Sequence, residues 1–189
     1  MVRHAQHELQ GLVLVGRTPG IGLSAEGMTQ AAALTERFRG IPLDAVLSSP
    51  MERARQTAAP IGAALGLEVG IEAGLNEIDF GEWTGAAFSA LDGSAEWDDW
   101  NRQRSIARCP GGETMAAAQD RALQAITQAR RYRQVVMVSH QDILKSVLAH
   151  YLGMSLDHLH RFALDPASHS IVTIFDDGTA RVDTINRLP

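Results

Sequence analysis

The chain has 189 residues, 45% of them hydrophobic, with 17 basic against 22 acidic side chains and a formal charge of −5. That length supplies one well-buried core and is short for two, so a single domain over 1–189 is expected. The acidic balance excludes a general nucleic-acid or membrane-surface binder, because both depend on excess positive charge; any bound anion must be held by a local cluster of cations.

Cys109 is the only cysteine, which excludes an internal disulfide and fits a reducing compartment. No stretch has the length of a membrane-spanning helix and the start carries no secretory-signal pattern, which together imply a cytoplasmic protein. The oligomeric state stays open, a homodimer included.

In chain order, the first apolar pair is Met1-Val2, followed at once by Arg3-His4. A central parallel strand ordinarily takes about five residues, so either this strand is very short or further residues precede it in relatives. Leu23 to Arg39 reads as a helix: Ser24 is an N-cap, Met28, Ala31, Leu34 and Phe38 recur at helical spacing, and Gly40 stands where a C′ glycine would. Leu43 to Ser48 is a short strand. Pro50 suits a first helical position, and the helix it opens runs to Leu65-Gly66 with a kink at Pro60. Val69 to Ile71 is a further short strand.

Between Ile78 and Gly112 the periodicity is poor and Gly81, Gly85, Gly93 and Pro110-Gly111-Gly112 interrupt it, which predicts a lid-like excursion at about 78–112 with one or two short helices. Trp83, Trp97 and Trp100 all fall there; they anchor the excursion on the core or wall an apolar leaving group. Arg102, Arg104 and Arg108 are either solvated charges or contacts for a second anion. A helix from Thr114 to Tyr132, a strand Gln134 to Ser139, a helix Asp142 to Leu152 closed by Gly153 and a shorter one near Ser155 to Phe162 follow. Ser170 to Phe175 and Ala180 to Ile185, joined through Asp176-Asp177-Gly178, form a hairpin. The alternation predicts an α/β class, a three-layer α/β/α sandwich with a mostly parallel sheet and an antiparallel edge.

His140 closes the apolar run Val135 to Ser139, where open α/β sheets present ligand-binding groups, and Arg53 falls in the first turn of the helix after Ser48-Ser49-Pro50. Two histidines, two arginines and no metal-ligand spacing point to phosphoryl transfer. Taken singly, each has a plainer reading: His4 as a surface histidine, His140 as a strand-end residue satisfied by backbone, Arg53 and Glu77 as an ion pair. His7, His150, His158, His160 and His169 have no ligand spacing and are given no role.

Arg3-His4, Gly22-Leu23-Ser24 with Gly27 and Gln30-Ala31, Arg53-Ala54 with Thr57-Ala58, Leu75-Asn76-Glu77 with Gly81-Glu82-Trp83, Pro110-Gly111-Gly112-Glu113 and Ser139-His140 together resemble the histidine phosphatase superfamily, in order and approximate spacing over nearly the whole chain. The chain departs from the pattern at Ala5-Gln6, where the family has glycine and an acidic residue, at Gln141 for glycine, and at Gln10 for asparagine.

The resemblance implies a phosphomonoester hydrolase acting on a small phosphorylated metabolite, without metal or cofactor. His4 would be the nucleophile, Glu77 the acid/base carboxylate and His140 a catalytic phosphate donor best as an imidazolium, with Arg3, Arg53, Gln10 and Gln141 binding phosphate. The alternatives are a cofactor-dependent phosphoglycerate mutase and a catalytically weak phosphate-binding or interaction relative. The stretch between Glu77 and His140 is shorter than in typical mutases, and Pro110-Gly111-Gly112-Glu113 is phosphatase-like.

Overall fold

In the computed structural model, which describes residues 1–189, one six-stranded sheet carries the fold. Its strands are β1 (Val2–Arg3), β2 (Ala45–Ser48), β3 (Val69–Ile71), β4 (Val135–Ser139), β5 (His169–Ile174) and β6 (Ala180–Arg187), in the order β3-β2-β4-β1-β5-β6. The first four strands run parallel, while β5 pairs antiparallel with both β1 and β6. The opening strand is therefore very short, yet it lies inside the sheet, with Val2 opposite Val138 and Arg3 opposite Ser139.

Helices cover both faces: α1 (Ala25–Phe38) and α2 (Glu52–Leu65) one side, α5 (Met115–Ala129) and α6 (Gln141–Tyr151) the other. The alternation of strand side chains produces these layers. Within β4, Val136 and Val138 pack with Ala31, Leu34, Ala58 and Ile61, whereas Met137 packs with Met115, Ala118, Ile143 and Val147.

The helix ends follow from local chemistry. Ser24 Oγ accepts the Gly27 N–H at 3.0 Å and Thr114 Oγ1 accepts that of Ala117 at 3.1 Å, each satisfying an amide that has no partner within its helix. The helix α2 starts later than its sequence suggests. Pro50 precedes the helix, because Ser49 Oγ accepts the Met51 N–H and the turn occupies the position expected of the first helical residue. In α1, Met28 is 56% exposed and Gly27 is buried in its place. Ala31, Leu34 and Phe38 face the core as the periodicity predicts, while at the helix start the close approach of the Gln6 carbonyl, 2.0 Å from where a Gly27 Cβ would stand, puts the glycine and not Met28 against the sheet side.

From Ile78 to Gly112 the chain forms one 3₁₀ turn (Gly81–Trp83) and two short helices, α3 (Phe88–Leu91) and α4 (Ala95–Arg102). Its two ends clasp: the Glu82 N–H donates to Pro110 O at 2.9 Å and the Glu113 N–H to Asp79 O at 2.8 Å. Gly81, at φ +55°, fits only because it lacks a Cβ, which would lie 2.0 Å from Pro110 O. Trp83, Trp97 and Trp100 pack edge to face, with centroids 5.3 Å apart for Trp83 and Trp97 and 6.2 Å for Trp83 and Trp100, and join the larger apolar core. They anchor the segment rather than wall an open pocket. No helix is long and apolar enough to cross a membrane.

Candidate active site

Parallel pairing of β1 with β4 sets His4 and His140 side by side at the carboxyl ends of adjacent strands, where strand order reverses. Their ring centroids are 5.1 Å apart. On the far side of β4, the end of β2 leads into α2, whose first turn delivers Arg53 to the same place. Glu77 arrives from the loop after β3. Arg3, His4, Arg53, Glu77 and His140 thus converge from four segments.

Arg53 is the hub, with only 1% of its surface exposed. Its Nε–H donates to His4 Nε2 at 3.3 Å, while Nη2 donates to Gly16 O at 2.9 Å and to His140 Nδ1 at 3.1 Å. Glu77 Oε2 lies 3.7 Å from Arg53 Nη2 and 3.5 Å from His140 Nδ1. Arg53 Nη1 and Arg3 Nε are buried without any partner in the chain. Cationic donors left unspent at such depth are what an anion site requires.

His4 Nδ1–H donates to its neighbour Ala5 O at 2.8 Å, so the proton sits on Nδ1 and the Nε2 lone pair faces the guanidinium. Burial, then Arg53 and Arg3, hold the imidazole neutral, well below its ordinary range. His140 departs from the imidazolium expected of it. Burial, Arg53 and His4 push it far down, Nδ1 accepts from Arg53, and Nε2–H donates to Ser49 Oγ at 2.7 Å. Glu77 moves the other way: burial raises its carboxyl to about 7 against the opposing pull of Arg53, with Asp142 adding to the rise.

A second set of arginines fixes the loop that carries Glu77. Arg121, from α5, donates to the carbonyls of Gly74 at 2.8 Å, Asn76 at 2.7 Å and Glu77 at 3.0 Å. Arg17 Nε–H donates to Glu77 O at 2.8 Å. Both arginines meet Glu113, whose Oε2 also accepts the Asp79 N–H at 2.9 Å. His7 belongs here too: its ring is 5.6 Å from that of His4, its Nδ1 is buried without a partner, and burial with Arg53 and Arg3 pushes it down to about 4.

Sequence reasoning missed Ser49, Arg17, Arg121 and His7. The arginines act on main-chain carbonyls, which leave no side-chain pattern to find. Of the positions where the chain departs from the family pattern, Ala5 is fully buried and donates its N–H to Thr57 Oγ1 at 3.0 Å. Gln141 opens α6 without positive φ, so the missing glycine causes no strain. The side chains of Gln10 and Gln141 hydrogen-bond to none of the converging groups; Gln10 Oε1 is buried without a partner.

This geometry accords with what the chain is similar to. A phosphoserine phosphatase 1 of Hydrogenobacter thermophilus is 31% identical over 91% of this chain and 84% of its own length. An adenosylcobalamin/alpha-ribazole phosphatase of Escherichia coli is 30% identical over 92% of this chain and 88% of its own. In fold, a mycobacterial glucosyl-3-phosphoglycerate phosphatase superposes with a TM-score of 0.89 at 23% identity, covering 99% of this chain and 97% of that one. The model of the histidine phosphatase superfamily (branch 1) matches residues 1–187, and the chain belongs to that superfamily.

Proposed function

We propose that the protein is a phosphomonoester hydrolase acting on a small phosphorylated metabolite through a phosphohistidine intermediate. The observation that carries this reading is the tautomer of His4, with Nδ1–H tied to Ala5 O and Nε2 facing Arg53. A neutral imidazole whose lone pair accepts only a long hydrogen bond from Arg53 Nε, at 3.3 Å, beside the unspent Arg53 Nη1 and Arg3 Nε, is a nucleophile adjacent to an oxyanion clamp.

In the first half-reaction, His4 Nε2 attacks phosphorus in line. The N–P bond forms as the bond from phosphorus to the alcohol oxygen breaks, and Glu77 gives its proton to that oxygen. Arg3 and Arg53 hold the nonbridging oxygens, with the Gln141 N–H at the start of α6 and His140 beside them. In the second, the Glu77 carboxylate takes a proton from water, whose oxygen attacks phosphorus. The N–P bond breaks, phosphate leaves, and His4 and Glu77 return to their starting forms.

A Glu77 carboxyl near 7 is half protonated at neutral pH, so kcat/KM falls as pH rises above about 7. Rapid quench into alkaline detergent with a ³²P-labelled ester tests the intermediate: wild type should retain alkali-stable label that acid then removes, and His4→Ala none. Label persisting in His4→Ala removes His4 from the chemistry. Arg53→Ala should lower kcat/KM for p-nitrophenyl phosphate by about 10²–10³-fold, the usual cost of one preorganised donor.

A further inference from the structure

The last strand reaches back to the phosphoryl pocket through an irregularity in its pairing. Along β5 and β6, Ile171 stands opposite Thr184 and His169 opposite Arg187, so Ile185 and Asn186 together face Ser170 alone. This is a bulge, and bulges re-aim side chains. Asn186 has φ +58°, a left-handed conformation that asparagine tolerates better than most side chains, and its N–H donates to Ser170 Oγ at 3.2 Å.

The side chain of Asn186 is turned onto Asp165. Oδ1 accepts the main-chain N–H of Asp165 at 2.6 Å, and Nδ2–H donates to Asp165 Oδ2 at 2.8 Å, a reciprocal bracket between β6 and the loop before β5. Asp165 opens a turn closed by the Ser168 N–H on Asp165 O at 3.0 Å, with Pro166 in its second position and Ala167 in its third. Ala167 is fully buried and has φ +57°, where such a turn ordinarily takes glycine. Backbone in so sparsely populated a region persists only where its surroundings over-determine it, and the bracket is one such constraint.

What the turn holds is the start of the site. Leu164 O accepts from Arg3 Nη1, Ser168 O accepts the Arg3 N–H at 3.0 Å, and the Ala167 N–H donates to His4 O at 3.3 Å. A guanidinium is planar, so a carbonyl fixed on Nη1 also fixes the direction of Nε–H, the Arg3 donor that is buried without a partner.

We propose that Asn186 is a positioning residue: its bracket on Asp165 sets the 164–168 turn, and the turn aims Arg3 at the phosphoryl group. This role rests on Arg3 as a phosphoryl ligand, as in the reading above, and orthovanadate, which binds without turnover, separates the two.

Asn186→Gly keeps the backbone conformation and removes the bracket. Its orthovanadate affinity, titrated calorimetrically well below the unfolding temperature, should fall by about tenfold or more, as for one misdirected charge-assisted hydrogen bond, with kcat/KM for p-nitrophenyl phosphate falling in parallel. The double variant Asp165→Asn/Asn186→Asp exchanges the two side chains, rebuilds the reciprocal pair and should recover most of the loss. On an Arg3→Lys background, where the ammonium has no plane to aim, Asn186→Gly should cost less than about twofold. Wild-type affinity in Asn186→Gly overturns the proposal, even if its unfolding temperature drops, because the residue then serves stability alone. A loss that the exchange fails to recover, or that persists in full on the Arg3→Lys background, overturns it as well. Wild type that binds no orthovanadate ends the phosphoryl reading and this role with it.

Discussion

Replacing Glu77 by glutamine should make the protein more stable at alkaline pH while stopping its chemistry. Burial raises the Glu77 carboxyl from 4.5 to about 7, so the folded chain binds this proton more tightly than the unfolded chain does. The stabilising contribution of that proton is complete below about pH 4.5 and is lost as pH rises through about 7. A gap of that size corresponds to about 3 kcal/mol, which glutamine, having no proton to lose, does not forfeit. The substitution keeps the size of the side chain and an oxygen to accept the Ile78 N–H, now at 3.0 Å from Oε1.

Thermal unfolding of both proteins in phosphate-free buffer at pH 4.5 and pH 8 measures the difference. For a chain of this length, about 2–4 °C accompanies each kcal/mol, so the margin of Glu77→Gln over wild type should widen by about 6–12 °C between the two pH values. A margin that stays constant or shrinks would refute the argument, because it would mean that Arg53 and its neighbours stabilise the carboxylate more than burial penalises it.

Arg121→Met should lower kcat by at least about tenfold by freeing the Glu77 loop, and should move the alkaline limb of the kcat/KM profile upward, since the Arg121 charge favours the Glu77 carboxylate. Arg121→Lys should return the limb but not the rate, because an ammonium cannot reproduce the planar fork that holds the carbonyls of Gly74, Asn76 and Glu77; full activity in Arg121→Met would assign the residue to stability alone. Gly81→Ala should cost about 2 kcal/mol or more in urea unfolding, because its φ is +55° and the added methyl meets Pro110 O. The Cys109 thiol is fully buried and pushed up to about 12, so iodoacetamide should label it at the rate of unfolding and not faster, as mass spectrometry over time would show.

Much of the architecture is legible where one side chain decides the local outcome. Ser24 and Thr114 start helices, Gly66 and Gly153 end them at φ +67° and +65°, and the alternation of Val136, Met137 and Val138 assigns each side chain to its layer. Arg3, His4, Arg53, Glu77 and His140 are legible through the ordered motifs that resemble the histidine phosphatase superfamily, since taken singly each has a plainer reading. What escapes reading depends on distant chain. Met28 is exposed, although Ala31, Leu34 and Phe38 of the same stripe are buried, because the Gln6 carbonyl sits against Gly27. The neutral state of His140 follows from burial and from Arg53, and neither is local to Ser139-His140. Arg17 and Arg121 reach peptide oxygens 60 and 44 positions away, a partner type that every residue offers.

The brevity of β1 and its location between β4 and β5 dictate an order of events during folding. Val2 and Arg3 dock against Val138, Ser139 and His169, so β1 finds its place only by pairing with strands far along the sequence. Closing so large a loop is entropically slow and comes after helix formation. The imidazole of His4 therefore owes its place to long-range pairing rather than to local structure, and the site is complete only when β1 is seated between β4 and β5.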